Sequence, residues 1–474
     1  MLKTINKFLV LGLLLWPVMA QAQGINGTRL NSPYTRYGLG ETYSLMLPNS
    51  QGSAGAFGAT LSSDALSFDV NLQNPASFAK LKITSFEIGG NYQRATLTEN
   101  TDNIFKKSIS NDGGFSYLSL SFPINRTWVA SRDTSRRRVK IQWGMGFALL
   151  PHSQVGYDVA VSRVLPNIGE VKYNYVGQGN RFRLNWANGW AYKNFSAGLN
   201  LGYLMGTVRN RSTVYFRDSA YVFAFNEDAV NSQTVRGLVW DVGLMYEKRL
   251  KRSPKNPNGA YSSGSKYPFI FKIGAYGHSS QQSKTYDNQF YRRYGTYYAY
   301  DTVVNNAETT GKMRLPAQIG GGVSFGVENY WALGFNYEQN FWSQYLNTAR
   351  PETMQNAYRA ALGFQIRPRP TGNNLQTSTL RMGVFYGTDG RMIEKSGKNL
   401  QLQKYGINFG TNLRLIGKAK TAMNETFVTS IAALNLSVEY GFLGQPELIN
   451  QRYFQVNLSF NLNENNWFIR SRYR

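Results

Sequence analysis

The feature that most constrains the fold of this chain is a two-residue alternation of apolar and small polar side chains, which recurs from residue 83 onward. In the clearest stretch, 452–462, one face carries Phe454, Val456, Leu458, Phe460 and Leu462, and the other carries Tyr453, Gln455, Asn457, Ser459 and Asn461. Alternation of this kind is typical of a β-strand with one apolar face. The stretches are about 10 to 12 residues long, as a tilted transmembrane strand requires. Because the second face is small and polar, like the lining of a lumen, the pattern favours an all-β transmembrane barrel.

The alternation predicts about fourteen antiparallel strands. We place them at 83–94, 114–124, 139–150, 182–192, 195–208, 236–249, 267–278, 316–326, 330–341, 356–367, 377–388, 401–413, 428–441 and 451–463. An even number closes the barrel with both termini on one side. If that side is periplasmic, the long connections 151–181, 209–235 and 279–315 face outward. Tight turns such as Lys193-Asn194 lie on the other side, as in bacterial barrels.

The first 22 residues predict export. Lys3 and Lys7 precede an apolar run, and Ala20-Gln21-Ala22 fits a signal-peptidase site. The run is too short to span a membrane as a helix, and no second apolar run of spanning length follows. Export combined with 31 Tyr, 28 Phe, 9 Trp, 46 Gly and no Cys is typical of a barrel in the outer membrane of a Gram-negative cell. A secreted β-sandwich or propeller is the competing class.

Four parts follow from these signals. Residues 1–22 form a signal peptide, 23–82 an N-terminal hatch or plug segment, 83–463 the barrel, and 464–474 a periplasmic tail. The run 52–77, GSAGAFGATLSSDALSFDVNLQNPAS, is too rich in small side chains to build a core of its own.

The formal net charge of +25 bears on which partners the protein binds. Nucleic acid is not an expected partner of an exported protein. Basic segments such as Lys248 to Lys255 lie in predicted periplasmic turns, where they suit anionic outer-membrane lipids. The predicted outer segment 286–300 holds many Tyr residues. It suits contact with a small hydrophobic ligand or with another outer-membrane protein, or packing on the barrel rim.

The sequence offers little catalytic chemistry. His152 and His278 are the two histidines, and there is no cysteine. His152 and Ser153 are adjacent, but neighbours on extended chain point apart, which suits neither a nucleophile nor its base. We therefore expect no enzyme activity, no cofactor and no metal site.

Six charged residues fall on the inward face of predicted strands: Asp241, Glu247, Glu338, Arg359, Arg381 and Glu439. Inside a barrel such groups pair across the lumen, tether a plug segment, or bind a ligand. Salt bridges and solvation of the lumen are favoured over a specific ligand site.

The run 52–77, with Asp64 followed by Asn74-Pro75-Ala76-Ser77, resembles the N-terminal hatch of FadL-like outer-membrane proteins, the transporters of long-chain fatty acids and other hydrophobic compounds. The stretch 144–157 and the start Asn31 to Gly38 are similar to FadL-like proteins of gliding-type bacteria. This resemblance implies that the hatch occupies the lumen and that outer loops capture hydrophobic substrate. A rearranged hatch would then open a passage, with Asp64, Asn74, Pro75 and Ala76 as candidate gate residues.

Asn74 and Pro75 fix a bend, because proline lacks an N–H and disfavours helix at the residue before it. This bend is either the gate or only shapes the entry to the first strand. A second function class is also open, because PorV-type relatives of these barrels act as adaptors that hold partner proteins. A continuous apolar path through or beside the hatch would favour the transporter. Its absence would favour the adaptor.

Overall fold

The computed structural model describes residues 32–63, 69–101, 104–124, 141–166, 168–216, 225–250, 268–295, 300–368, 377–420 and 426–464. The predicted signal peptide, Asp64 and all but the first residue of the predicted tail lie outside these ranges. Among the described residues, no helix is long and apolar enough to cross a membrane.

Fourteen long strands form one antiparallel sheet in the described part of the chain. Two of them, β7 and β8, are each interrupted by a short break. The strands are β1 Thr84–Thr101, β2 Ile104–Pro123, β3 Ile141–Leu165, β4 Gly169–Tyr192, β5 Phe195–Phe216, β6 Asn226–Leu250, β7 Phe269–His278 and Gln281–Tyr294, β8 Asp301–Leu315 and Gln318–Val327, β9 Trp331–Asn340, β10 Ala357–Ile366, β11 Thr379–Lys395, β12 Lys398–Lys420, β13 Thr426–Gly444 and β14 Asn450–Glu464.

The sheet closes on itself, because β14 pairs with β1 along its whole length, from Asn450 opposite Thr98 to Glu464 opposite Thr84. The predicted all-β barrel is confirmed, and each predicted strand corresponds to one strand of the structure. We call the end where residues 84 and 464 lie the terminal rim and the opposite end the far rim. The apolar sides of the strands face outward, where Leu238, Leu362 and Leu458 are exposed to the membrane.

The prediction of long outer loops was wrong. Most of 151–181 lies in β3 and β4, which remain paired from Ile141 opposite Tyr192 up to Leu165 opposite Gly169. Much of 209–235 and 279–315 likewise continues β5 to β8. These strands extend the barrel wall at the far rim. They escaped prediction because this part of the wall has no lipid-facing apolar face.

The N-terminal segment lies inside the barrel. It contains the 3₁₀ helix Pro33–Arg36, the short strand Glu41–Thr42, the α-helical turn Pro48–Gln51 and the 3₁₀ helix Pro75–Lys80. The strand Glu41–Thr42 pairs with β3, with Glu41 opposite Gln154 and Thr42 opposite Ser153. Leu47, Val70, Leu72 and Phe78 pack with wall residues in a buried apolar cluster. We call residues 32–63 and 69–82 the plug.

The wall departs from regular pairing between β2 and β3. Their ladder runs only from Pro123 opposite Gly144 to Leu118 opposite Leu149. Beyond that level β2 pairs with β1 and β3 pairs with β4, so the two strands separate toward the far rim. A cavity of about 110 Å³ lies at the separation, and plug residues Tyr43, Ser44 and Met46 line its inner side.

Candidate functional site

Four glycines form a continuous band on the inner wall under the Pro75–Lys80 helix. Gly144, Gly189, Gly198 and Gly243 are directly opposite one another across β3, β4, β5 and β6. A Cβ added at Gly198 would lie 2.2 Å from the carbonyl carbon of Pro75, and one at Gly144 would lie 2.1 Å from the carbonyl oxygen of Phe78. The plug backbone therefore rests on the backbone of the wall, and no side chain fits between them.

A second band supports the first half of the plug. Gly334, Gly363 and Gly383 are directly opposite one another across β9, β10 and β11. A Cβ at Gly383 would lie 2.4 Å from the carbonyl oxygen of Ser53. On β12, a Cβ at Gly410 would lie 2.6 Å from the Cα of Gly52. The sequence suggested that small inward residues form a polar lining of the lumen. At these positions they contact the plug instead.

Asn74 fastens the plug to the wall between these bands. Its Nδ2 donates to the carbonyl oxygen of Ala59 at 2.7 Å and to that of Leu244 in β6 at 3.1 Å. Its Oδ1 accepts from the N–H of Ala76 at 3.1 Å and caps the 3₁₀ helix. The side chain is fully buried, so these three hydrogen bonds replace water completely.

The two residues that follow are held equally closely. Pro75 opens the helix at a position where a missing N–H costs nothing, and its Cδ lies 2.8 Å from where a Cβ on Gly243 would stand. Ala76 is fully buried over Gly198. Asp64, the fourth residue suggested as a gate, lies outside the described residues.

Two of the predicted lumen charges bind the plug directly. The Arg381 guanidinium in β11 lies 2.8 Å from the Asp69 carboxylate, and both side chains are buried. The Glu338 carboxylate in β9 accepts from Gln73 at 3.1 Å and from the Tyr276 hydroxyl at 3.0 Å. These contacts tie the plug to β9 and β11, the two strands on either side of β10.

Asp241 is linked to the plug indirectly, through Asn200. Its carboxylate forms a buried ion pair with Arg183 of β4 and lies 3.4 Å from the Nδ2 of Asn200. Asn200 Nδ2 also donates to the carbonyl oxygen of Leu72 in the plug at 3.0 Å. His278 Nε2 is 4.0 Å from the same carboxylate. Asp241 thus belongs to a network on the wall that ends on plug backbone.

The remaining three predicted charges contact mainly the wall. The Arg359 guanidinium lies over the Phe385 ring at 4.5 Å and reaches the sulfur of Met46 in the plug at 4.0 Å. Glu439 accepts from Tyr453 and Asn408, each at 2.7 Å. Glu247 lies at the terminal rim, 3.9 Å from the Nζ of Lys272.

Sequence reasoning missed a charged cluster that holds the beginning of the plug. Glu41 lies 3.0 Å from both the Arg391 guanidinium in β11 and the Lys404 ammonium in β12. Arg391 also pairs with Asp389 and donates to the carbonyl oxygen of Tyr34. Burial opposes ionisation of Glu41, but the two cations outweigh it and lower its pKa to about 2. Hundreds of residues separate Glu41 from Arg391 and Lys404 in sequence, so no local pattern could have predicted this cluster.

A cavity of about 300 Å³ lies inside the barrel, between plug residues 39–46 and the wall. Its walls include the charged side chains Glu41, Asp241, Glu338, Arg359, Arg391, Lys404 and Glu439, together with His152 and His278. A second cavity of about 70 Å³ lies toward the terminal rim, beside Asp69 and Arg381. Plug residues line both cavities, among them Met46 and Gln51 in the first and Phe57 and Leu61 in the second.

Comparison with known proteins identifies the family. The BamG family model matches residues 1–474, the whole chain. The chain belongs to the BamG family. No curated protein matches it.

Solved structures show that this BamG family member has the fold of FadL-like barrels. A Pseudomonas aeruginosa FadL homologue superposes with a TM-score of 0.53 at 12% identity, over 90% of this chain and 99% of the homologue. The Pseudomonas putida toluene transporter TodX gives a TM-score of 0.52, also at 12% identity and over 90% and 99% of the two chains. At this identity the likeness concerns the fold alone. The predicted resemblance to FadL-like outer-membrane barrels is confirmed at that level.

Proposed function

We propose that this protein is a permanently plugged outer-membrane barrel that works as a subunit of the BAM complex, to which the name of its family points. The observation that carries the proposal is the seating of the plug. Seven glycines in two bands lie against the plug, six of them against its backbone, and buried polar contacts through Asn74 and Arg381 fix it further. A barrel filled in this way offers a rigid outer surface for partners rather than a passage.

The polarity of the lumen supports the same proposal. A passage for hydrophobic compounds needs apolar walls, because small-molecule sites are lined mainly by apolar and aromatic side chains. Besides apolar residues such as Leu315 and Trp342, the cavity of about 300 Å³ is bordered by five acidic and four basic side chains. Such walls suit the anchoring of a plug better than the transfer of a fatty acid or an aromatic hydrocarbon.

The experiment is affinity purification of the tagged full-length chain from outer membranes in a mild detergent. We expect BAM subunits to copurify in fixed proportion and to be cross-linked to the barrel in intact cells. An outer-membrane barrel of similar abundance with the same tag is the control. Equal recovery of BAM subunits with both baits would refute the proposal.

A second candidate function is the passage of small hydrophobic compounds, with Asn74, Pro75 and Ala76 as the gate. Its specific support is the separation of β2 from β3, which brings the plug residues Tyr43, Ser44 and Met46 to an interruption in the wall. Uptake of radiolabelled toluene and of a long-chain fatty acid by whole cells distinguishes the two functions. Under the plugged-barrel proposal, cells with the Asn74→Ala, Pro75→Gly double variant take up both compounds at the wild-type rate.

A further inference from the structure

The outward face of strands β5 to β8 changes from apolar to basic at one level of the wall. On β6, the outward residues Leu244, Val242 and Leu238 are 62%, 45% and 76% exposed, as expected for the lipid-facing band. The next outward position toward the far rim is Arg236, which stands opposite Met205 of β5. The apolar band therefore ends at Leu238, and a cation follows it directly.

Three cations stand side by side at this level. Arg236 of β6 is directly opposite Lys284 of β7, and Lys284 is directly opposite Lys312 of β8. All three are exposed, and Arg314 is the next outward residue on β8. We call Arg236, Lys284 and Lys312 the basic row. Directly opposed residues have Cβ atoms about 5 Å apart, and like charges so placed destabilise a sheet.

In the described part of the chain, no ion pair joins Arg236, Lys284 or Lys312 to a carboxylate. The side-chain contact found for the basic row is the Arg236 guanidinium over the Tyr286 ring at 5.5 Å. Nearer the far rim on the same outward face, by contrast, the Asp228 carboxylate is bound by Arg211 at 2.7 Å and by Arg292 at 2.9 Å. On β8 the nearest acidic residue in sequence is Glu308, four residues beyond Lys312.

We propose that the basic row binds the phosphate groups of a phosphorylated lipid in the leaflet that surrounds the far rim. The row lies where the acyl chains of that leaflet end, so a headgroup is held against it by the tails that coat Leu238 and its neighbours. A phosphate between opposed cations removes their mutual repulsion and accepts charge-assisted hydrogen bonds from Arg and Lys. Because long loops and extended hairpins face outward in bacterial barrels, this leaflet is the outer one.

The test measures lipid binding to the purified full-length protein in a non-ionic detergent by native mass spectrometry. The probes are lipid A with two phosphates, the same lipid without phosphate, and inorganic phosphate alone. The variant is Arg236→Gln, Lys284→Gln, Lys312→Gln. The control is Arg163→Gln, Lys172→Gln, Lys398→Gln, which removes the same charge from the tips of other far-rim hairpins. Slower migration of boiled than of unheated protein on a gel verifies that each barrel is folded.

We expect the wild type and the control to bind phosphorylated lipid A and the basic-row variant to bind it on the order of 100-fold more weakly. Without lipid, the basic-row variant should melt at the same temperature as the wild type or higher, since repulsion is removed. Equal lipid binding by the basic-row variant and wild type overturns the proposal, as does equal binding of lipid A without phosphate. Inorganic phosphate binding as tightly as the lipid overturns it in favour of a soluble anion.

Discussion

The anchoring of the plug by Asn74 can be tested by replacing this residue with Ala. The change removes the cap on the Ala76 N–H, which is worth about 1 kcal/mol. It also takes a donor from the carbonyl groups of Ala59 and Leu244, and each buried hydrogen bond of this kind is worth about 0.5–1.5 kcal/mol net. The local stability of the plug around residues 70–80 should fall by about 2–4 kcal/mol.

Hydrogen exchange followed by mass spectrometry provides the measurement. A loss of this size should raise the exchange rate of the amides in the Pro75–Lys80 helix by roughly 30- to 700-fold. The amides of β5 and β6 should exchange as before, because their ladder does not involve this side chain. Asn74→Asp keeps the acceptor for the Ala76 N–H but turns a carboxylate toward two carbonyl oxygens, so its effect should be larger than that of Asn74→Ala.

The matched control is Asn399→Ala, at an exposed position in the β11–β12 hairpin, which should leave exchange of the plug unchanged. Unchanged exchange in Asn74→Ala as well would show that the three hydrogen bonds do not hold the plug.

Three further perturbations have defined outcomes. Gly198→Val should displace the helix that starts at Pro75, visible as new protease cleavage in the plug, whereas a loosely seated plug would tolerate the change. Leu436→Arg, on the outward face near the middle of β13, should cost about 2–4 kcal/mol in unfolding by denaturant; a cost no larger than that of Leu436→Ala would mean that this face does not contact lipid. Glu41 has a lowered pKa, so its attachment to Arg391 is complete above pH 4.5 and is lost as the pH falls toward about 2. Protease sensitivity of the first plug residues should rise across that interval, and a Glu41→Gln variant that kept the same pH dependence would contradict this assignment.

The lipid-facing part of the fold could be predicted from sequence because the membrane imposes a pattern that is strictly local. Leu380, Met382 and Val384 alternate with inward residues, and each of the three is about half exposed in the structure. Where β3 and β4 rise above the apolar band, the outward face carries polar residues, as at Ser162 opposite Lys172, and the alternation fades. The strands continue there without the signal, which is why their outer halves were predicted as loops.

The interior was harder to predict for a different reason. An inward glycine such as Gly198 looks the same in sequence whether water or backbone lies against it. The charges Asp241 and Arg381 could be placed in the lumen from their position on a strand, but their partners Arg183 and Asp69 could not. Contacts between a plug and a wall depend on which strands become neighbours of which plug residues, and that information is spread over the whole chain.

The glycine bands also determine the order of events during folding. The plug precedes every barrel strand in the chain, whereas closure requires β1 to meet β14, the first strand and the last. Pairing at such long sequence separation is slow, so the open sheet persists while the chain is being completed. In the closed barrel, plug backbone lies directly against wall backbone at these glycines, which leaves little room to thread the plug in after closure. We therefore expect the last ladder to form around a plug already in place, with plug docking as a step of barrel biogenesis.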